Sequence, residues 1–240
     1  MARIRAVLFD IDGTLLDSND AHAQAWLDSL RGHGRNVPFD LVRSKIGMGA
    51  DKLLSELVAV DHESVEGTSI RDRRARIFKA QYLPDLGPFH GARVLVDRLR
   101  SRGLVCAAVS SASAEDITPL LRAAGVADLI DVVVSADDAD RSKPDPDLVE
   151  IALDRVELTA GEALMIGDTP YDIAAGERAG VPVVALRCGG WSDADLAGAI
   201  AIYDDPADLS SQLDRSPLAL DRESNPPSAH RTMRARRMAV

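Results

Sequence analysis

The stretch "AVLFDIDGTLLDS", residues 6–18, opens with four apolar residues, stops at an acid, Asp10, and places a second acid, Asp12, two positions on. Four residues are too few for a helix. A short continuous apolar run closed by a turn pair (Asp12-Gly13) is the pattern of a strand buried on both faces. Its ending sets a physical problem. Two carboxylates 4 Å apart repel by about 4 kcal/mol at an effective dielectric near 20, so a cation belongs beside them or one of them stays protonated.

Outward from this strand, similar runs recur at Leu104–Val109, Val132–Val134, Ala163–Ile166 and Val183–Leu186. Helical patterns separate them. "HGARVLVDRLRSRG" carries Val94, Leu95 and Leu99 on one face and stops at Gly103. "SAEDITPLLRAAG" stops at Gly125, and its Pro119 fits the first turn of a helix that begins near Asp116. "YDIAAGERAG" stops at Gly180. Strands alternating with helices predict an α/β fold, a doubly wound, Rossmann-like parallel sheet.

The interval between the first two strands is too long for one crossover. It holds at least three helical stretches, with Ala23, Trp26, Leu27 and Leu30; with Leu53, Leu54, Leu57 and Val58; and with Ile70, Ile77, Phe78 and Tyr82 near one face. This predicts an inserted all-helical cap domain over 18–86, a core over 1–17 and 87–213, and a disordered tail over 214–240, where periodicity gives way to Pro, Ser and Arg.

The chain has 240 residues, 46% of them apolar but only 4% aromatic, so its core is built from Ala, Val, Leu and Ile. A formal net charge of −10 argues against nucleic acid as a partner. No apolar run approaches the length of a membrane span. The two cysteines, Cys106 and Cys188, read as packed thiols in a reducing compartment, and the expected location is cytoplasmic.

Parallel α/β sheets bind ligands beyond the carboxyl ends of their strands. Those ends offer Asp10, Asp12, Gly13 and Thr14; then Ser110, Ser111, Ala112 and Ser113; then Lys143 in "RSKPDPD"; then Asp168 and Asp172 in "GDTPYD". Taken singly, each has a plain reading as a turn, an N-cap or a solvated lysine. Together they collect on one rim. Crowded carboxylates with oxygen-only donors suit Mg²⁺, and Mg²⁺ with a lysine and hydroxyl donors suits a dianionic phosphoryl group. One carboxylate can attack phosphorus, and the other can protonate the leaving oxygen and then deprotonate water.

"DIDGTLLDS", "VSSAS", "SKPDPD" and "IGDTPYD", in this order, resemble the haloacid dehalogenase-like hydrolase superfamily in its helical-cap branch, over about residues 4–212. The resemblance implies Asp10 as nucleophile and Asp12 as general acid/base. It implies a phosphate site of Thr14, Ser111, the Ala112 N–H and Lys143. It also implies Mg²⁺ held by Asp10, the Asp12 backbone carbonyl and Asp168, with Asp172 assisting. Ser111 fits the spacing better than Ser110. Dehalogenation is set aside because Asp12 and the "GDTPYD" acids are present.

Phosphoglycolate phosphatases and β-phosphoglucomutases are the nearest types. His22 stands where the mutase branch carries a cap-hinge histidine, but Ala50 stands where that branch uses an arginine. Hydrolysis of a small phosphomonoester is therefore expected ahead of mutase activity. Met48, between Gly47 and Gly49, is expected to face the substrate from the cap. A phospho-aspartate signalling or binding module is the remaining alternative, and the helical insert and an acid on the first strand argue against it.

Overall fold

The computed structural model describes residues 3–219; most of the tail expected to be disordered lies outside the described residues. The first strand, β1 (Ala6–Phe9), is followed by the helices α1 (Asn19–Gly32), α2 (Phe39–Arg43), α3 (Ala50–Val58) and α4 (Val65–Ile77). The chain then alternates through α5 (Ala92–Ser101), β2 (Val105–Val109), α6 (Ala114–Ala123), β3 (Val132–Val134), α7 (Asp147–Val156), β4 (Ala163–Gly167), α8 (Pro170–Ala179), β5 (Val183–Leu186), β6 (Ala201–Tyr203) and α9 (Pro206–Ser211).

All six strands are parallel, in the order β3-β2-β1-β4-β5-β6. The strand order reverses between β1 and β4, and a doubly wound sheet opens its ligand crevice at such a reversal. The side chains of β1 alternate between two apolar layers. Val7 and Phe9 pack in one cluster with Leu95, Leu99 and Leu120, while Ala6 and Leu8 pack in the other with Leu148, Val149 and Ala152. Both faces are covered, as the continuous apolar run requires.

The helices between β1 and α5 gather a third apolar cluster, from Ala23 to Ile70. The expected stripe of Ile70, Ile77, Phe78 and Tyr82 is divided: Ile70 joins this third cluster, whereas Ile77, Phe78 and Tyr82 pack on the sheet-side core. A wide π-helical turn over Phe78–Tyr82 follows α4 and rotates the face by which the chain returns to the sheet.

Two further expectations are corrected. β6 adds a sixth strand; it is as short as β3 but lacks the all-valine run that marks β3 in the sequence. α6 begins at Ala114 rather than near Asp116, because Ser113 takes the extended N-cap backbone, and Pro119 therefore falls inside the helix. Among the described residues no helix is long and apolar enough to cross a membrane.

Candidate active site

Asp10 follows β1, Ser110 to Ala112 follow β2, Lys143 precedes α7, and Asp168 and Asp172 follow β4, with Asp172 in the first turn of α8. Pairing of β1 with β4 aligns Phe9 with Ile166, and the Asp10 N–H donates to the Ile166 carbonyl at 2.9 Å. The first strand and the "GDTPYD" loop thus meet at the reversal of the sheet.

Lys143 is fully buried. Its Nζ donates to Asp10 Oδ1 at 2.5 Å, to Asp172 Oδ1 at 2.8 Å and to the Val109 carbonyl at 2.8 Å, which uses all three ammonium protons. Asp172 Oδ2 accepts from Thr169 N at 3.0 Å and Thr169 Oγ1 at 2.7 Å, completing the capping box of α8. Asp168 accepts from Thr14 Oγ1 and from Asn19 Nδ2, each at 2.9 Å. Gly189 lets the chain pass close by, since a Cβ there would fall 1.7 Å from Asp168 Oδ2.

Asp10, Asp168 and Asp172 are all buried and offer oxygens within 4.8 Å of one another. Three carboxylates face a single ammonium, and the charge imbalance shows in their acidities. Burial raises Asp10 well above the ordinary carboxylate range; Lys143 pulls it back, while Asp172, Asp168 and Asp12 push it further up. Asp168 is pushed up to about 7, by burial and then by Asp172, against the hydrogen bonds from Asn19 and Thr14. Burial works against the charge on Lys143, but Asp10 and Asp172 outweigh it and raise its proton affinity. A hard divalent cation would relieve this excess of buried negative charge, and oxygen donors are the set such ions take.

Asp12 turns the other way. Its Oδ1 accepts from Ser18 Oγ at 2.6 Å and lies 2.7 Å from His22 Nε2. On the far side of the ring, Arg74 is hydrogen-bonded to His22 Nδ1. Arginine only donates, so Nδ1 accepts and the ring proton sits on Nε2, directed at Asp12. His22 stacks on Phe78 with centroids 4.1 Å apart, and the Arg74 guanidinium lies 5.1 Å from the Phe78 centroid and 5.4 Å from that of Trp26. Burial opposes ionisation of Asp12, but His22, Ser18 and Arg74 together hold it below the ordinary range. Burial lowers His22, opposed by Asp12 and reinforced by Arg74. The resulting pair is a neutral imidazole donating to an ionised carboxylate.

A cavity of about 470 Å³ opens above these groups, bordered by Asp10, Asp12, His22, Met48, Ser111 and Arg74 among others. Lys143, Asp168 and Asp172 stand behind the cavity wall, Lys143 bonded to Asp172 and Asp168 to Thr14 and Asn19. Thr14, expected among the phosphate ligands, is fully buried and spends its hydroxyl on Asp168. The Ala112 N–H donates to Ser110 Oγ at 3.0 Å, and Ser111 Oγ donates to the Gly47 carbonyl at 3.3 Å.

Asn19 and Arg74 were not singled out from the sequence. Asn19 follows Asp12 by seven residues and reaches Asp168 only because α1 starts beside β4. Arg74 sits in an Arg-rich helix whose spacing does not tell its half-buried guanidinium from exposed neighbours such as Arg73 and Arg76.

A family model for haloacid dehalogenase-like hydrolase matches residues 7–186. The chain belongs to the haloacid dehalogenase-like hydrolase family. A phosphoglycolate phosphatase of Rhodospirillum rubrum is 34% identical over 221 residues, covering 87% of this chain and 90% of the relative. Validoxylamine A 7'-phosphate phosphatase of Streptomyces hygroscopicus subsp. limoneus is 32% identical over 187 residues, covering 76% and 85%. A hydrolase of known structure from Pseudomonas syringae superposes with a TM-score of 0.82 at 29% identity, covering 88% of this chain and 98% of its own. This member of the haloacid dehalogenase-like family is an enzyme, and its relatives at this level of identity include phosphatases.

Proposed function

We propose that this enzyme hydrolyses a small phosphomonoester, of sugar-phosphate or phosphoglycolate kind, through a phosphoryl group carried on Asp10, with Mg²⁺ as cofactor. The observation that carries the reading is the cluster of Asp10, Asp168 and Asp172 around Lys143, buried beneath a cavity that exposes Asp10 and Asp12. Asp10 and Asp168 would hold the metal, with the Asp12 backbone carbonyl. Asp172, whose two oxygens already accept from Lys143 and Thr169, would orient the lysine. When bound, Mg²⁺ supplies positive charge to the phosphoryl oxygens and to the Asp10 carboxylate.

Asp10 attacks phosphorus and the ester P–O bond breaks. Asp12 enters this step protonated, a form that the approaching phosphate dianion favours, and gives its proton to the leaving oxygen. Ionised again, and held by His22 and Ser18, Asp12 takes a proton from the water that attacks phosphorus, which frees Asp10 and releases phosphate. Ser111 is assigned to the phosphoryl oxygens, and Lys143, whose three protons go to Asp10, Asp172 and the Val109 carbonyl, to neutralising them by its charge from beside Asp10.

Residues 18–86 are assigned as a cap that closes the cavity, with an apolar cluster of its own as support. The cavity volume leaves room for a sugar-sized leaving group. A cytoplasmic setting accords with Cys106 and Cys188 both being free.

A phosphomutase is the second reading. Arg71 and Arg74 border the cavity from the inserted helices and offer guanidinium groups that Ala50 does not.

The test is phosphate release from a panel of phosphomonoesters with and without Mg²⁺, with Asp10→Asn as control. Metal-dependent release that falls at least ~1000-fold in Asp10→Asn is expected. Equal release by the variant overturns the mechanism. Isomerised product that appears only with a bisphosphate activator moves the assignment to the mutase.

A further inference from the structure

The first turn of α3 lies against the loop that carries Lys143. The Gly49 N–H donates to Ser142 Oγ at 3.1 Å. Lys52 Nζ donates to the Ser142 carbonyl and to Asp145 Oδ2, each at 2.6 Å. Asp51 accepts from the Ser142 hydroxyl, and from the Ser142 N–H at 3.3 Å. Side-chain exposure of Lys52, Asp51 and Asp145 is only 21–24%. Contact is close enough that a Cβ on Gly49 would fall 2.4 Å from Ser142 Cβ.

The preceding residues make two more junctions with the same rim. Ser111 Oγ donates to the Gly47 carbonyl, and Tyr171 OH donates to the Ser44 carbonyl at 2.5 Å. Residues 44–52 therefore bridge from the inserted helices to two loops at the strand ends and to the first turn of α8. The ionic part of the bridge is confined to Asp51 and Lys52.

The loop they grip is a fixed point. All three bonds of Lys143 Nζ go to core atoms and none to the insert, so Lys143 keeps its place whether or not the insert is docked. We infer that Asp51 and Lys52 are a clamp that holds the inserted helices closed over the cavity. They act as positioning residues that set how much of the enzyme is closed, without touching the phosphoryl group. The inference rests on the cap and phosphatase reading above. If binding needs the closed form, apparent affinity falls in proportion to the closed fraction, and the loss appears in KM.

Steady-state kinetics of Lys52→Ala, Asp51→Ala and Lys52→Arg, on the best ester of the panel, test this. Both alanine variants are expected to raise KM by about tenfold with kcat within about twofold of wild type, and Lys52→Arg to recover most of the loss. Raising salt from about 0.05 to 0.5 M is expected to raise the wild-type KM more than that of Lys52→Ala, because the partly exposed ion pair is screened. An unchanged KM, a fall in kcat at unchanged KM, or a Lys52→Arg variant as poor as Lys52→Ala overturns the clamp.

A second readout needs no turnover. Small-angle scattering of the full chain is expected to give a larger radius of gyration for the double alanine variant than for wild type, with unchanged circular dichroism. Equal radii overturn the clamp. Should no ester be hydrolysed by wild type, the phosphatase reading fails and scattering still decides the clamp.

Discussion

Replacing Asp168 by Asn removes one buried charge while keeping the shape of the side chain, and the structure gives this change a sign that depends on pH. With no cation beside it, burial and Asp172 push the Asp168 carboxyl up to about 7 from an ordinary 3.8. A raised carboxylate favours the folded state when protonated, so stability is full below about pH 4 and is lost as pH rises to about 7. Keeping Asp168 ionised at pH 8 therefore costs the fold about 4 kcal/mol. The asparagine variant escapes that cost but loses one of the hydrogen bonds from Thr14 and Asn19, worth about 1 kcal/mol. The net expectation at pH 8 is a variant about 3 kcal/mol more stable than metal-free wild type, or roughly 6–12 °C in Tm for a chain of this size. At pH 5, where the same shift costs wild type only about 1.6 kcal/mol, the variant should be no more than about 0.5 kcal/mol more stable. The assay is thermal unfolding in EDTA at both pH values, repeated with excess Mg²⁺. Added metal should stabilise wild type and leave the variant almost unmoved. A variant that is less stable than wild type at pH 8 in EDTA, or a difference that does not change with pH, refutes the account of the buried acid cluster.

Asp12→Ala is expected to slow phosphate release by about 10²–10⁴-fold, with both formation and breakdown of the phosphorylated enzyme affected in single-turnover measurements; a normal breakdown rate would assign the water-activating base elsewhere. Gly49→Ala drives a methyl into Ser142 and should destabilise the docked arrangement by about 1–3 kcal/mol, read as a lower Tm; an unchanged Tm would show that the contact yields freely.

Much of the sheet was legible because β1 is buried on both faces, so its four apolar residues carry no alternation to confuse with a helix. The acids of the first strand were legible as polar residues standing where an apolar run ends, and Lys143, nine residues past β3, through the "SKPDPD" motif. What escaped was set by direction rather than by residue type. Thr14 follows the cavity-lining Asp12 by two residues, yet its hydroxyl turns to Asp168. Asp172 belongs to the acid cluster, but Lys143 and the helix cap occupy both its oxygens. His22 and Arg74 are 52 positions apart, and only the packing of α4 on α1 brings the guanidinium to the ring. β6 escaped because Ala201-Ile202-Tyr203 offers no run of β-branched residues, whereas β3, equally short and at the other edge, is marked by three consecutive valines.

The central place of β1 has a consequence for the newborn chain. Its two neighbours in the sheet are β2 and β4, and neither exists when residues 6–9 leave the ribosome. At about 5–20 residues per second, β4 follows roughly 10–30 s later. Throughout that interval this wholly apolar strand has one edge or both unpaired, while the inserted helices between it and β2 are finished first and can close their own cluster. Synthesis thus exposes a sticky N-terminal segment early and shields it late. The growing polypeptide depends on holding that segment apart from other chains until its second partner arrives.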